Sequence, residues 1–331
     1  MSTSPCGKKC KPKFVNAMLQ YLVILLDDTS VAYCHADNLL KERNLMPLDT
    51  LKKAILFGMR ENLMIQYVYP DYDLPQEYND VIESIDHTKI GKDVKVFNDV
   101  TLSSTAGTAI LRLTVADLIA KQYDVAVMMS QVARLVICLK DVELFQDEQI
   151  EDYKKALSTL SAMVLNLRKS GHESEVNILT DRLALKEMHN CGAGVSNITV
   201  APNGKFYLCP AFYYDEKIGI SNRLNHHKSS SDRSVGCLEL GIQIPNQPLL
   251  KLDHAPLCRI CDAYHCNRCI WLNQKLTWDN NTPSHQQCVL AHLERNASRD
   301  LQEELFKAGF PVVKNIKRIS YLDPFDVREQ I

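Results

Sequence analysis

Seven cysteines in the later part of the chain have the residue type and the spacing to hold inorganic centres. They are Cys191, Cys209, Cys258, Cys261, Cys266, Cys269 and Cys288, in the order C-x12-G-x4-C, gap, C-x2-C-x4-C-x2-C, gap, C. A C-x2-C step lets two thiolates converge on one metal from a single turn, and repeated steps within roughly a hundred residues rarely arise from packing alone. Cys258, Cys261, Cys266 and Cys269 could by themselves satisfy one tetrahedral zinc ion. That leaves Cys191, Cys209 and Cys288 without a role, whereas two iron-sulfur clusters would use all seven. Zinc stands as the alternative. His254, His265, His285 and His292 fall near the cysteines in sequence and are available as substitute ligands. Trp271 and Trp278 follow the last C-x2-C step and could shield a cluster from water.

Composition sets the outer bounds. With 331 residues, 46% of them hydrophobic, the chain can bury a sizeable core and divide into two domains. Lys and Arg number 38 against 40 for Asp and Glu, so no bulk field favours nucleic acid or an anionic membrane as partner. The apolar stretch at 18–26 is too short to span a membrane and runs into Asp27 and Asp28, so it reads as a buried strand. The first dozen residues lack a secretory apolar region. Twelve cysteines in such a chain point to a reduced, cytoplasmic compartment where thiolates hold metal.

Two styles of sequence must position these residues. Up to about residue 179, short β-rich runs alternate with helical periodicity, the pattern of a parallel α/β domain. Strands are predicted at 21–26, 63–69, 94–97, 110–115, 135–139 and 176–179, and helices at 48–61, 76–85, 117–131 and 149–169. Six such βα units predict an open partial (β/α)6 barrel with its functional loops at the carboxyl ends of the strands. Beyond about residue 185, Cys, Pro, Asn and Gly punctuate short segments. Pro202, Asn203 and Gly204 between apolar runs predict a hairpin that folds Cys209 back toward Cys191. A polar loop with His226 and His227 is predicted at 225–234, and a short helix from Ala297 to Lys307 that stops at Gly309 and Pro311. The expected division is a tail (1–17), a barrel-like α/β domain (18–185), a small cysteine-rich domain (186–295) and a C-terminal helix with an extension (296–331).

The cysteine order resembles the SPASM domain, the auxiliary-cluster module of radical S-adenosylmethionine enzymes that modify peptides. The match covers about a hundred residues, with one residue fewer than usual in each of the last two short gaps. The resemblance implies 4Fe-4S clusters, with Cys191, Cys209 and Cys269 on a first and Cys258, Cys261, Cys266 and Cys288 on a second. The first lacks a fourth thiolate, which leaves His189 or an open iron site. The N-terminal half is similar to the same superfamily in architecture but departs from its C-x3-C-x2-C signature. Aligning Cys34 with the third cysteine puts Asp27 and Val31 at the other two positions, and Cys6 and Cys10 have Lys13 third. Where the superfamily often has Gly-Gly-Glu-Pro, this chain has Tyr69, Pro70, Asp71, Tyr72 and Asp73. S-adenosylmethionine is therefore not expected as a cofactor, and no catalytic residue is identified.

The phrase from Leu25 through Asn38, with the cysteine order, resembles the maturases associated with CXXX-repeat peptides. This implies a role in maturing a ribosomally made precursor peptide, as a divergent modifying enzyme or as partner of an active radical enzyme. Two alternatives stand beside it: a non-catalytic peptide-binding module stapled by zinc or clusters, and an active radical enzyme with an unusual cluster at Cys34. The plainer readings are that Asp27 and Asp28 are turn formers and caps and that Cys138 is a small core hydrophobe. Cys34 beside His35 would be a reactive thiol only if the ring were aimed at it. Cys6 and Cys10 are expected in solvent.

Overall fold

The computed structural model describes residues 19–101, 107–185, 191–219, 232–266 and 268–311. Cys6, Cys10, His189, His226, His227 and the C-terminal extension beyond 311 lie outside them. The chain runs β1 (Tyr21–Leu25), α1 (Leu48–Arg60), β2 (Met64–Val68), α2 (Gln76–Ile82) and β3 (His87–Ile90). It continues with β4 (Lys95–Phe97), β5 (Thr108–Leu113), α3 (Val115–Ala120), α4 (Gln122–Met129), β6 (Arg134–Leu139), α5 (Ile150–Lys169), β7 (Glu175–Val176) and α6 (Asp181–Ala184). Then come β8 (Asn197–Val200), β9 (Phe206–Tyr207), α7 (Pro210–Ile218), β10 (Gly236–Cys237), β11 (Gly241–Ile242), α8 (Ile270–Leu276) and α9 (His285–Lys307).

These elements form two compact units that interleave along the chain. The described residues of the first come from 19–32, 37–93 and 192–251, and those of the second from 33–36, 94–191 and 252–311. This differs from the consecutive segments expected above, because a strand pairs with whatever lies beside it in space. In the first unit β8 joins β1, giving a sheet of order β3-β2-β1-β8-β9 in which only β8 and β9 are antiparallel. Leu22, Val23, Ile24 and Leu25 of β1 are all buried, as a central strand requires. Helix α1 lies on the face carrying Leu22 and Ile65. A Cβ at Gly58 would come within 2.9 Å of Ile65 and 3.1 Å of Leu22, and Phe57 packs against Phe206 with tilted rings whose centroids are 4.8 Å apart.

The second unit has a four-stranded parallel sheet, β4-β5-β6-β7. Leu111, Leu135 and Ile137 of the sheet, Leu157 and Leu160 of α5, and Leu293 and Leu301 of α9 share one core. Each such side chain taken fully from water contributes about 1.5–3 kcal/mol. An ion pair lies inside this unit. Arg182 meets Glu294 at 2.6 Å, with side chains only 2% and 3% exposed, and Tyr153 donates to the other Glu294 oxygen at 2.9 Å.

An α/β fold is present, as expected, but among the described residues the parallel strands fall into two sheets and no barrel forms. The predicted strands at 21–26, 63–69, 94–97, 110–115, 135–139 and 176–179 correspond to β1, β2, β4, β5, β6 and the short β7. The run breaks at β3 and β4, which only residues 91–94 separate. Parallel neighbours in one sheet need a crossover of about a dozen residues or more, so β4 begins a new sheet. β3 escaped the sequence reading because only Ile90 of its four residues is buried. The helix predicted at 117–131 divides into α3 and α4 at Lys121. The one predicted from Ala297 starts twelve residues earlier, at His285, where Ser284 and Gln287 close a reciprocal capping box.

Candidate metal centre

The second unit carries Cys258, Cys261 and Cys266 on one short segment. Cys258 opens a 3-10 turn that closes with the Cys261 amide on the Cys258 carbonyl at 3.2 Å, and Cys266 closes a turn on Ala263 at 2.9 Å. Ala263 donates its backbone N–H to Cys261 Sγ at 3.4 Å. Burial pushes the Cys266 thiol up to about 12, and the neighbouring Cys258 and Cys261 add to the shift. Three thiols thus stand within electrostatic reach of one another.

Buried charge fixes this segment to its surroundings. Asp262 pairs with Arg295 of α9 at 2.8 Å and also with Arg299. Burial works against the Asp262 carboxylate, yet the two guanidinium groups outweigh it and hold its pKa below the ordinary value. Arg182 donates to the His265 carbonyl at 3.0 Å, and the His265 ring faces Asp181 at 3.5 Å. Helix α9 adds His292, buried, with Nε2 3.5 Å from Cys261 Sγ. Cys288 lies one turn earlier on the same face of α9. Of the four histidines flagged by sequence, His292 is the one placed against a thiol of this segment. His254 is exposed, His265 serves Asp181, and His285 is half-buried at the first turn of α9.

Further thiols of the same unit act on one another electrostatically, a link not legible in the sequence. Cys34 is pushed up to about 12 by burial and next by Cys138, with Cys191 contributing, while Arg112 draws it down. Cys269, at the start of α8, is raised first by burial, then by Cys191 and also by Cys34. His35 Nδ1 is 2.7 Å from the Leu139 carbonyl, which can only accept, so Nδ1 carries the proton and Nε2 is the ring's acceptor. Burial lowers the pKa of this ring and keeps it neutral. The sequence reading that made Cys138 a plain core residue is correct in burial but missed these neighbours.

In the first unit, Cys209 begins α7 and Cys237, outside the seven-cysteine pattern, is buried in β10. Asp27 and Asp28 follow β1 and are both buried. Asp27 accepts from Tyr72 at 2.9 Å, from the Thr29 amide at 2.7 Å and from its hydroxyl at 2.5 Å. Asp28 accepts from Tyr213 and from Asn44 at 3.2 Å, and pairs with Lys217 at 3.1 Å. Burial, then the carboxylates themselves, raise Tyr72 and Tyr213, so both phenols stay protonated donors. The acid pair is used up in holding its own loop.

Among the described residues no three His, Cys, Asp or Glu side chains close on one point as ligands of a single ion. A groove of about 770 Å3 between α5 and α9 is lined by neither cysteine nor histidine, so the thiol chemistry lies elsewhere. Trp278, 65% exposed, does not shield the cysteines, whereas Trp271 packs against the core of the second unit. No helix among the described residues is long and apolar enough to cross a membrane. No protein-family model matches the sequence, and no curated protein matches it.

Proposed function

We propose that this chain is an iron-sulfur protein acting in the maturation of a ribosomally made peptide, with Cys258, Cys261 and Cys266 as ligands and Cys288 and His292 of α9 as the residues able to complete the set. One observation carries the metal reading: three neighbouring thiols on a segment clamped by buried ion pairs, one already accepting a backbone N–H. Soft thiolates suit iron-sulfur clusters and zinc, and a bound cation would offset the burial that raises the Cys266 thiol. A bound cluster would supply electron transfer or an open iron for a substrate thiol. The peptide part of the reading comes from the cysteine order and its SPASM-like spacing.

Zinc is the second reading, and a distance favours it. Two ligands on one tetrahedral zinc, one sulfur and one nitrogen, stand about 3.6 Å apart by the usual bond lengths. Cys261 Sγ and His292 Nε2 are 3.5 Å apart. Anaerobic purification with iron, sulfide and zinc analysis separates the two. Iron and sulfide in equal amounts are expected; colourless protein with stoichiometric zinc after attempted cluster reconstitution would replace the first reading by the second. Incubation of the loaded protein with S-adenosylmethionine and reductant is expected to yield no 5′-deoxyadenosine, because Asp27 and Val31 stand where cluster thiolates would be needed.

A further inference from the structure

We propose that the groove between α5 and α9 is the seat of the chain's own carboxyl-terminal segment, residues 312–331, which lie outside the described residues. The proposal is independent of the metal reading.

The floor of the groove is apolar. Leu157 of α5 and Leu293 and Leu301 of α9 line it and belong to the core of the second unit. Its volume of about 770 Å3 lies in the range of sites that enclose a ligand, and covering such a floor removes apolar surface from water. Ser161 adds a polar demand. Its Oγ is buried and has no hydrogen-bond partner among the described residues, a state that a backbone amide or carbonyl of an occupant would relieve.

The course of the chain beyond α9 selects the occupant. Gly309 takes φ 85°, its N–H bonds the Phe306 carbonyl and the Phe310 N–H bonds the Leu305 carbonyl, both at 3.0 Å, which closes α9 in a Schellman turn. Phe310 packs against the same core that floors the groove, so the chain leaves at Pro311 from the end marked by Glu304. In the residues that follow, Val313, Ile316, Ile319, Leu322 and Phe325 recur at every third position with charged residues among them. That is the make-up of an amphipathic segment with a face to bury.

Charge sets the direction. Asp300 and Glu304 stand toward the exit; Asp300 is exposed and carries no ion pair among the described residues, while Glu304 meets Lys307 at 2.7 Å. The first charges of the segment are Lys314, Lys317 and Arg318. Tyr153 of α5 meets Glu294, about 15 Å before Glu304 along α9 at 1.5 Å per residue, so the neighbouring Lys154 marks the far end of the groove. The next charges of the segment, Asp323 and Asp326, are of the sign that Lys154 attracts. From Val313 to Asp323 the chain spans about 15 Å if helical and more if extended, enough to run the length of the groove.

The test is zero-length carbodiimide cross-linking of the full chain, mixed equally with heavy-nitrogen-labelled protein and read by mass spectrometry after digestion. The Glu304–Lys307 pair is the internal control for reactivity. Links from Lys314 or Lys317 to Asp300 or Glu304 within one chain are expected. Their absence while the control link forms overturns the proposal, and the same links found only between light and heavy chains make the occupant a second copy's segment and overturn docking in cis. A second measurement is tryptic cleavage after Lys317 and Arg318 in the native chain. It should accelerate about threefold in Asp300→Lys, the worth of one exposed ion pair, and return toward the wild-type rate when Lys314→Glu is added. Equal rates in all three chains overturn the proposal as well. The cross-link is read on the wild type, so a misfolded variant cannot decide the matter.

Discussion

The acid pair of the first unit and the thiols of the second are both polar groups withdrawn from water, and the protein treats them in opposite ways. Asp27 and Asp28 are met by Tyr72, Thr29, Tyr213, Asn44 and Lys217, each donor within the same unit. Cys34, Cys266 and Cys269 are instead made harder to ionise by burial first and by neighbouring thiols second. A buried charge fully answered by protein donors has no valence left for a ligand. A buried thiol is stabilised as a thiolate when a cation arrives. The contrast leaves the thiols as the candidates for chemistry, although a position at the carboxyl end of a parallel strand would by itself have favoured the acids.

Substitutions can break or sharpen this contrast. The largest expected effect is on metal content: Cys266→Ala should lose the iron of its centre in anaerobic iron analysis. Unchanged iron would make Cys266 a core hydrophobe and erase the distinction. Glu294→Ala comes next, because it strands the buried Arg182 guanidinium and should cost about 3–5 kcal/mol in chemical denaturation. Asp28→Ala leaves Tyr213 and Asn44 without their acceptor and should cost about 1–3 kcal/mol, with iron content unaltered. Iron lost from that variant without loss of structure would give the acid pair a role it is denied here. Smallest is Gly58→Ala, where the clash with Ile65 and Leu22 outweighs the gain in helix propensity and leaves a deficit of about 1 kcal/mol. Its iron content should match the wild type.

Much of the local structure was readable from the residues. The apolar run of β1 and the 3.6-residue periodicity of α1 and α5 fix those elements almost to their ends. The Asn203-Gly204 turn gives the β8–β9 hairpin, with Gly204 at φ 74°. The missed pieces have specific causes. β3 is short and mostly polar on its sequence, and α9 opens on the polar turn His285, Gln286 and Gln287, which carries no apolar periodicity. A strand pattern also carries no record of its partner, so six correctly placed strands suggested one barrel where the described residues make two sheets.

What the sequence determined by itself is local: which segments are strands or helices, and that Cys258, Cys261 and Cys266 can converge from one short stretch. Tertiary structure alone decided that His292 meets Cys261, and that Arg112 and the Leu139 carbonyl hold residues 34–36. The reason is reach. Spacing governs what a single turn can bring together, whereas segments about a hundred residues apart meet only where strand register, the Arg112 strap and buried ion pairs place them.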